Sequence, residues 1–136
     1  MNTLFLVALI VEALFSLGFL FVPGPVLSPL GVTLDDTAMV FARLFGSALI
    51  SFPFLLWFAR KSSSLEYKLG VLYSLFAYYL LASVILVVAE LEGKMNTMGW
   101  GVIAIHVALT VWFGYFVVKQ FLPRTAGPGK AALHAK

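Results

Sequence analysis

Residues 66–89 read EYKLGVLYSLFAYYLLASVILVVA, and from Leu69 to Ala89 no charge interrupts them. At about 1.5 Å of rise per residue, a helix of that length exceeds the ~30 Å hydrocarbon core of a bilayer. Ser62-Ser63-Ser64 precedes the stretch and Glu90-Leu91-Glu92-Gly93 follows it, so polar residues bound it at both ends. Three more stretches of similar length flank it. The first covers about residues 3–22 and stops at Pro23-Gly24-Pro25, which cannot continue a helix. The second covers about 36–58, opened by Asp35 and Asp36, whose carboxylates favour the positive helix end, and closed by Arg60-Lys61. The third covers about 98–122 and ends at Pro123. Four such runs leave almost no chain to bury them. The expectation is an all-α integral membrane protein, an antiparallel four-transmembrane-helix bundle over residues 1–124. Residues 125–136, rich in Ala, Gly, Pro and Lys, read as a flexible cytoplasmic tail.

Composition agrees. Of the 136 residues, 62% are hydrophobic and 11% charged, against about 25% charged in a soluble domain. A water-soluble fold of this size has too little interior to hide so much apolar surface. The absence of Cys excludes disulfides, thiolate metal sites and Cys nucleophiles. The net charge of +3 comes without a dense Lys/Arg run, so a nucleic-acid partner is not indicated. Met1-Asn2-Thr3 lacks a positive n-region and the following apolar run is too long for an h-region, so no cleavable signal peptide is expected.

Lys and Arg set the expected orientation. Arg60, Lys61, Lys68, Lys119, Arg124, Lys130 and Lys136 fall on one side, and only Lys94 lies in the loops of the other. The basic side should be cytoplasmic, with both termini inside, in the cell inner membrane. Asp35, Asp36, Glu90 and Glu92 then face outward. The semi-apolar 23–35 loop should lie along the outer interface. Trp57, Trp100 and Tyr67 fall near interfaces, where aromatic belts form.

Few polar residues lie within the runs. Glu12 is about 15 Å from either end of its helix, and Arg43 about 10 Å from the outer end of the second. His106 lies at nearly the depth of Arg43. An intramembrane carboxylate should face the bundle and be paired or protonated. Glu12, Arg43 and His106 therefore read either as an outward-facing polar pocket for an anionic or protonatable ligand, or as a Glu12–Arg43 ion pair that locks helix packing. Glu90 and Asn96 lie above them at the outer mouth. A lone imidazole beside small residues also permits axial ligation of a macrocycle by His106, although packing is the commoner use of such a residue. Tyr73, Tyr78 and Tyr79 lie deep, as groove lining or as aromatic packing. Ala42 and Gly46 form a small-xxx-small step, with Gly18 and Ser16 as the matching surface of the first helix. Pro53 should kink the second helix, with Ser47 and Ser51 near the freed carbonyls. Residues 13–17 resemble residues 71–75, which a duplicated hairpin or merely uniform helix composition would produce. No phosphate-binding loop, zinc-protease or nucleophile-elbow motif occurs, and no second carboxylate lies near Glu12.

Glu12 with Gly18, the loop from Pro23-Gly24-Pro25 to Leu30-Gly31-Val32, Ala42-Arg43-Leu44-Phe45-Gly46 followed by Trp57 and Arg60, and Gly99-Trp100 leading to His106 together resemble small bacterial four-helix membrane proteins of the DoxX-like kind and neighbouring families of unknown function. The resemblance implies a four-helix bundle serving as a membrane subunit or helper, and supplies no catalytic residues. The leading expectation is a non-enzymatic accessory or assembly subunit of a larger inner-membrane complex, packed in lipid against other subunits or itself. The alternative is a small binder or carrier of a lipid-like or anionic ligand.

Overall fold

The computed structural model describes residues 1–121, so the expected tail at 125–136 lies outside the described residues. The described residues form six α-helices and one 3-10 turn, with no strand. Helix α1 is Asn2–Phe21. Pro23 has no N–H to donate, yet at the first position of a helix none is needed. It therefore opens a second short helix, α2 (Pro23–Leu27), where the sequence suggested only an irregular loop. A 3-10 turn, Ser28–Leu30, follows and ends at Gly31, whose φ of 77° suits glycine.

Asp35 caps α3 (Asp36–Leu49) by accepting the Ala38 N–H at 2.7 Å. The second apolar run is not one helix. It breaks at Ile50 and resumes as α4 (Ser51–Lys61). The break falls just ahead of Pro53, which cannot donate to the Leu49 carbonyl. Ser47 and Ser51, expected to help satisfy the freed group, do not reach it: Ser47 Oγ donates to the Leu44 carbonyl at 2.7 Å and Ser51 Oγ to the Ala48 carbonyl at 2.8 Å. Helix α5 (Leu65–Leu91) begins at Ser64, whose Oγ accepts the Tyr67 N–H at 3.2 Å. Helix α6 is Gly99–Phe121.

Counting Asp36–Lys61 as one, 4 helical segments are long and apolar enough to cross a membrane. Phe41, Leu44, Val84, Ile85, Val111 and Val118 stand exposed along them, a surface suited to hydrocarbon and not to water. Length, composition and exposed apolar surface are those of candidate membrane spans, and they suit a multi-pass membrane protein.

Helix α1 packs along α3 and α4, and α5 packs along α6. The two groups meet where α4 touches α5 and, sparsely, where α1 touches α6. Nearly all the core lies toward one end. It joins Leu4, Phe5 and Ala8 of α1 to Leu56 and Ala59 of α4, Val71, Leu72 and Leu75 of α5, and Phe113 of α6. The Met1 amino group sits at that end. Partial burial, then the nearby charges of Lys119 and Lys68, hold its pKa below the usual value.

At the other end, hereafter the loop end, Asn96 ties the two loops together. Its backbone N–H donates to the Leu30 carbonyl at 2.8 Å, and its Nδ2 donates to the Pro29 carbonyl at 2.9 Å. Gly31 leaves room for this clasp, since a Cβ there would lie 3.2 Å from Asn96 Nδ2.

Two packing glycines differ in what they meet. A Cβ on Gly46 would lie 2.5 Å from the backbone nitrogen of Leu20, so Gly46 is where α3 and α1 touch backbone to backbone. Gly18, expected on the same contact, instead makes room for Val26 of α2, whose methyl would lie 2.8 Å from an added Cβ.

Candidate functional site

The core stops short of the loop end, and a cavity of about 430 Å³ takes its place. Phe15 and Phe19 of α1, Phe45 and Leu49 of α3, and Leu81, Ala82, Ile85 and Leu86 of α5 form its walls. Val102 and Leu109 come from α6, and Val26, Leu27, Leu30 and Met95 of the clasped loops roof it. Helices α3 and α5 have no extended packing on each other, and both line the cavity. Leu81 is 63% exposed and Ile85 67%, so the cavity reaches the bundle surface between these helices.

Its polar groups lie at the level of the middle of α1. Glu12 is only 3% exposed, and Tyr79 donates its hydroxyl to Glu12 Oε1 at 2.6 Å. The other carboxyl oxygen has no hydrogen-bond partner among the described residues, and it is not sealed from the cavity. His106 Nδ1 lies 2.9 Å from the Val102 carbonyl. A carbonyl only accepts, so the proton is on Nδ1 and Nε2 keeps a free lone pair. That nitrogen is the one that macrocycle ligation or acceptance of a hydrogen bond would use. The ring is steadied by Tyr79 at 6.1 Å and Phe15 at 6.5 Å, both edge-on. Tyr78 completes the polar lining and packs against Phe52 at 4.9 Å.

Beside this group, hydroxyls tie α5 to α6. Ser83 Oγ donates to the Tyr79 carbonyl at 2.7 Å and lies 3.2 Å from Thr110 Oγ1, which donates to the His106 carbonyl at 2.8 Å. The ladder fixes Tyr79 and His106 relative to each other.

Glu12 and His106 thus line one cavity, but Arg43 does not join them. It is exposed on α3, outside the cavity lining, and no ion pair with Glu12 forms. The reason is angular. Phe45 lines the cavity, and a residue two positions away lies about 160° round the helix. The sequence put the depth of Arg43 close to that of His106 and did not give its direction. Tyr79 takes the place expected for Arg43. Of the three deep tyrosines, Tyr73 is exposed and does not reach the cavity. Asn96 belongs to the roof as the loop clasp, and one buried Glu90 oxygen, without a hydrogen-bond partner, lies against Gly99 at the start of α6. Among the described residues no group of three or more His, Cys, Asp and Glu could hold a metal ion.

No protein-family model, curated protein or solved structure matches the chain.

Proposed function

We propose that the chain is a small membrane binder or carrier of a lipid-like molecule. The observation that carries this reading is the cavity itself: about 430 Å³, walled by apolar side chains, with Glu12, Tyr79 and His106 as its polar groups and a gap to the surface between α3 and α5. Ligand sites in proteins have this size and this ratio of apolar wall to polar anchor. A lateral gap between membrane helices admits a molecule dissolved in lipid without passage through water. We further place the four spans as an antiparallel bundle in the cell inner membrane, with both termini cytoplasmic and the loop end outside, on the basic-residue bias of the flanks. The DoxX-like likeness supports this architecture as a proposal only.

A second reading keeps the accessory subunit. Arg43 favours it, because a guanidinium on the exposed side of α3, about 10 Å from the helix end, is costly in hydrocarbon unless it snorkels or meets a partner.

One preparation tests both. The protein is purified from its own membrane in mild detergent and analysed by native mass spectrometry. The binder reading expects a bound amphiphile on the wild type, its loss in Ala82→Trp, which fills the cavity, and its retention in Val111→Trp on the exposed side of α6. An empty wild-type chain would overturn it. Stoichiometric co-purifying subunits that dissociate on Arg43→Ala would establish the second reading.

A further inference from the structure

We infer that the ligand of this cavity carries a protonated amine on an apolar body, and that Glu12 and His106 receive the ammonium group. The inference rests on the cavity being a binding site, and it names the chemistry of what binds.

The polar atoms left open are the first argument. With the carboxyl ionised and the imidazole neutral, the free oxygen of Glu12 and His106 Nε2 both accept hydrogen bonds, and the Tyr79 hydroxyl proton is already committed to Glu12 Oε1. A ligand end with several N–H donors suits a cavity lined by both acceptors; an ester, ketone or phosphate brings only more acceptors. Tyr78 adds one hydroxyl, which is not enough to reverse that balance.

Charge is the second. The polar groups that line the cavity with Glu12 are Tyr78 and Tyr79 from α5 and His106 from α6. Helix α3 presents Phe45 and Leu49 to the cavity while its Arg43 stands exposed, and Arg60 of α4 lies beside the opposite end, outside the lining. No Lys or Arg therefore lines the cavity. Apart from His106, which is a cation only when both ring nitrogens are protonated, the chain offers nothing to offset an ionised carboxylate here. The site is electrically neutral with the proton on the carboxyl, with it on His106 beside the carboxylate, or with a cationic ligand beside the carboxylate and a neutral His106. An anionic ligand, which the sequence allowed for on the strength of Arg43, would add a second negative charge to an apolar chamber.

The wall is the third argument. Phe15, Phe19, Phe45 and Tyr78 line the cavity with the carboxyl, and aromatic faces attract ammonium groups. Apolar length beyond the ammonium is accommodated by Leu81, Ile85 and the gap that they border.

Two photoreactive probes of equal chain length test the inference, a diazirine-bearing dodecylamine and the matching dodecanol. They are added to the whole protein in phosphatidylcholine nanodiscs, and labelled peptides are read by mass spectrometry with unlabelled competitor. The expected result is saturable labelling of the cavity peptides by the amine, competed by unlabelled dodecylamine, with much weaker labelling by the alcohol. Glu12→Gln keeps an oxygen for the Tyr79 hydroxyl but loses the charge, and should lower amine labelling on the order of tenfold or more, bringing the amine-to-alcohol ratio toward one. Equal labelling by both probes, or amine labelling untouched by Glu12→Gln, would overturn the ammonium assignment while leaving a lipid-binding cavity in place. Labelling of the cavity by neither probe would overturn the cavity reading along with it. Should Glu12→Gln fail to assemble, the amine-to-alcohol ratio on the wild type decides alone.

Discussion

The contact between Tyr79 and Glu12 is the most consequential pair in the molecule. Its 2.6 Å length and its burial make it a hydrogen bond with no water to replace it. Removing the hydroxyl by Tyr79→Phe leaves Glu12 Oε1 without a donor. The expected cost is about 1–3 kcal/mol of stability. It should appear as a lowered unfolding temperature in detergent, with the helical signal retained below the transition. In a cycle with Glu12→Ala, which removes the acceptor, the two changes should be non-additive by about 0.5–3 kcal/mol, since both act on one bond. Additive losses would show that the two side chains act separately. Glu12 and His106 could be read from the sequence as site candidates because intramembrane ionisable groups are rare. Tyr79 could be read only as one of three deep tyrosines, for groove lining or for packing. Its signal was depth: it lies near the middle of the 65–91 helix, as Glu12 does in α1. Arg43 shows the converse, a residue at a plausible depth whose azimuth the sequence does not give.

Among elements, the informative comparison is between glycines that have the same sequence appearance and different surroundings. Gly46 lets α3 touch the backbone of α1, and nothing there can yield but the helices themselves. Gly70 of α5 has no atom within 4 Å of where its Cβ would stand. Gly46→Ala should therefore destabilise by about 1–3 kcal/mol through overpacking. Gly70→Ala should be neutral, or stabilising by up to about 1 kcal/mol, by removing backbone freedom in a helix interior. Unfolding of both variants in the same detergent checks this, and equal losses would deny Gly46 its place in the contact. The small-xxx-small spacing of Ala42 and Gly46 made this interface legible. The partner of Gly18 was not, because Val26 reaches it from α2, and Pro23-Gly24-Pro25 reads as a helix stop before it reads as a helix start. The four apolar runs were legible for a plain physical reason, since lipid imposes length and composition on each separately. The break at Ile50 was foreshadowed by Pro53, but its position depends on which carbonyl loses its donor.

At the scale of the whole molecule, the uneven filling of the bundle ties orientation to function. Large side chains such as Phe5, Leu56, Leu72 and Phe113 fill the end that carries Met1, and the other end is hollow beneath the Asn96 clasp. Whichever side of the membrane holds the 23–35 loop therefore decides which leaflet borders the gap between α3 and α5. The basic residues favour the loop end outside, since Arg60, Lys61, Lys68 and Lys119 all flank the filled end and Lys94 alone lies in the loops of the other. The chain has no Cys, so a single introduced thiol reports its own position without background. Thr33→Cys and Ser63→Cys are both at exposed positions, one in each loop region. A membrane-impermeant maleimide applied to intact spheroplasts should label Thr33→Cys at once and Ser63→Cys only after permeabilisation. The reverse pattern would put the cavity against the inner leaflet, and a carrier of that orientation would draw its ligand from the cytoplasmic side. Labelling of both positions in sealed cells would contradict a pair of loops on opposite faces, and with it the spanning of the Asp36–Lys61 segment on which every depth argument for Arg43 rests.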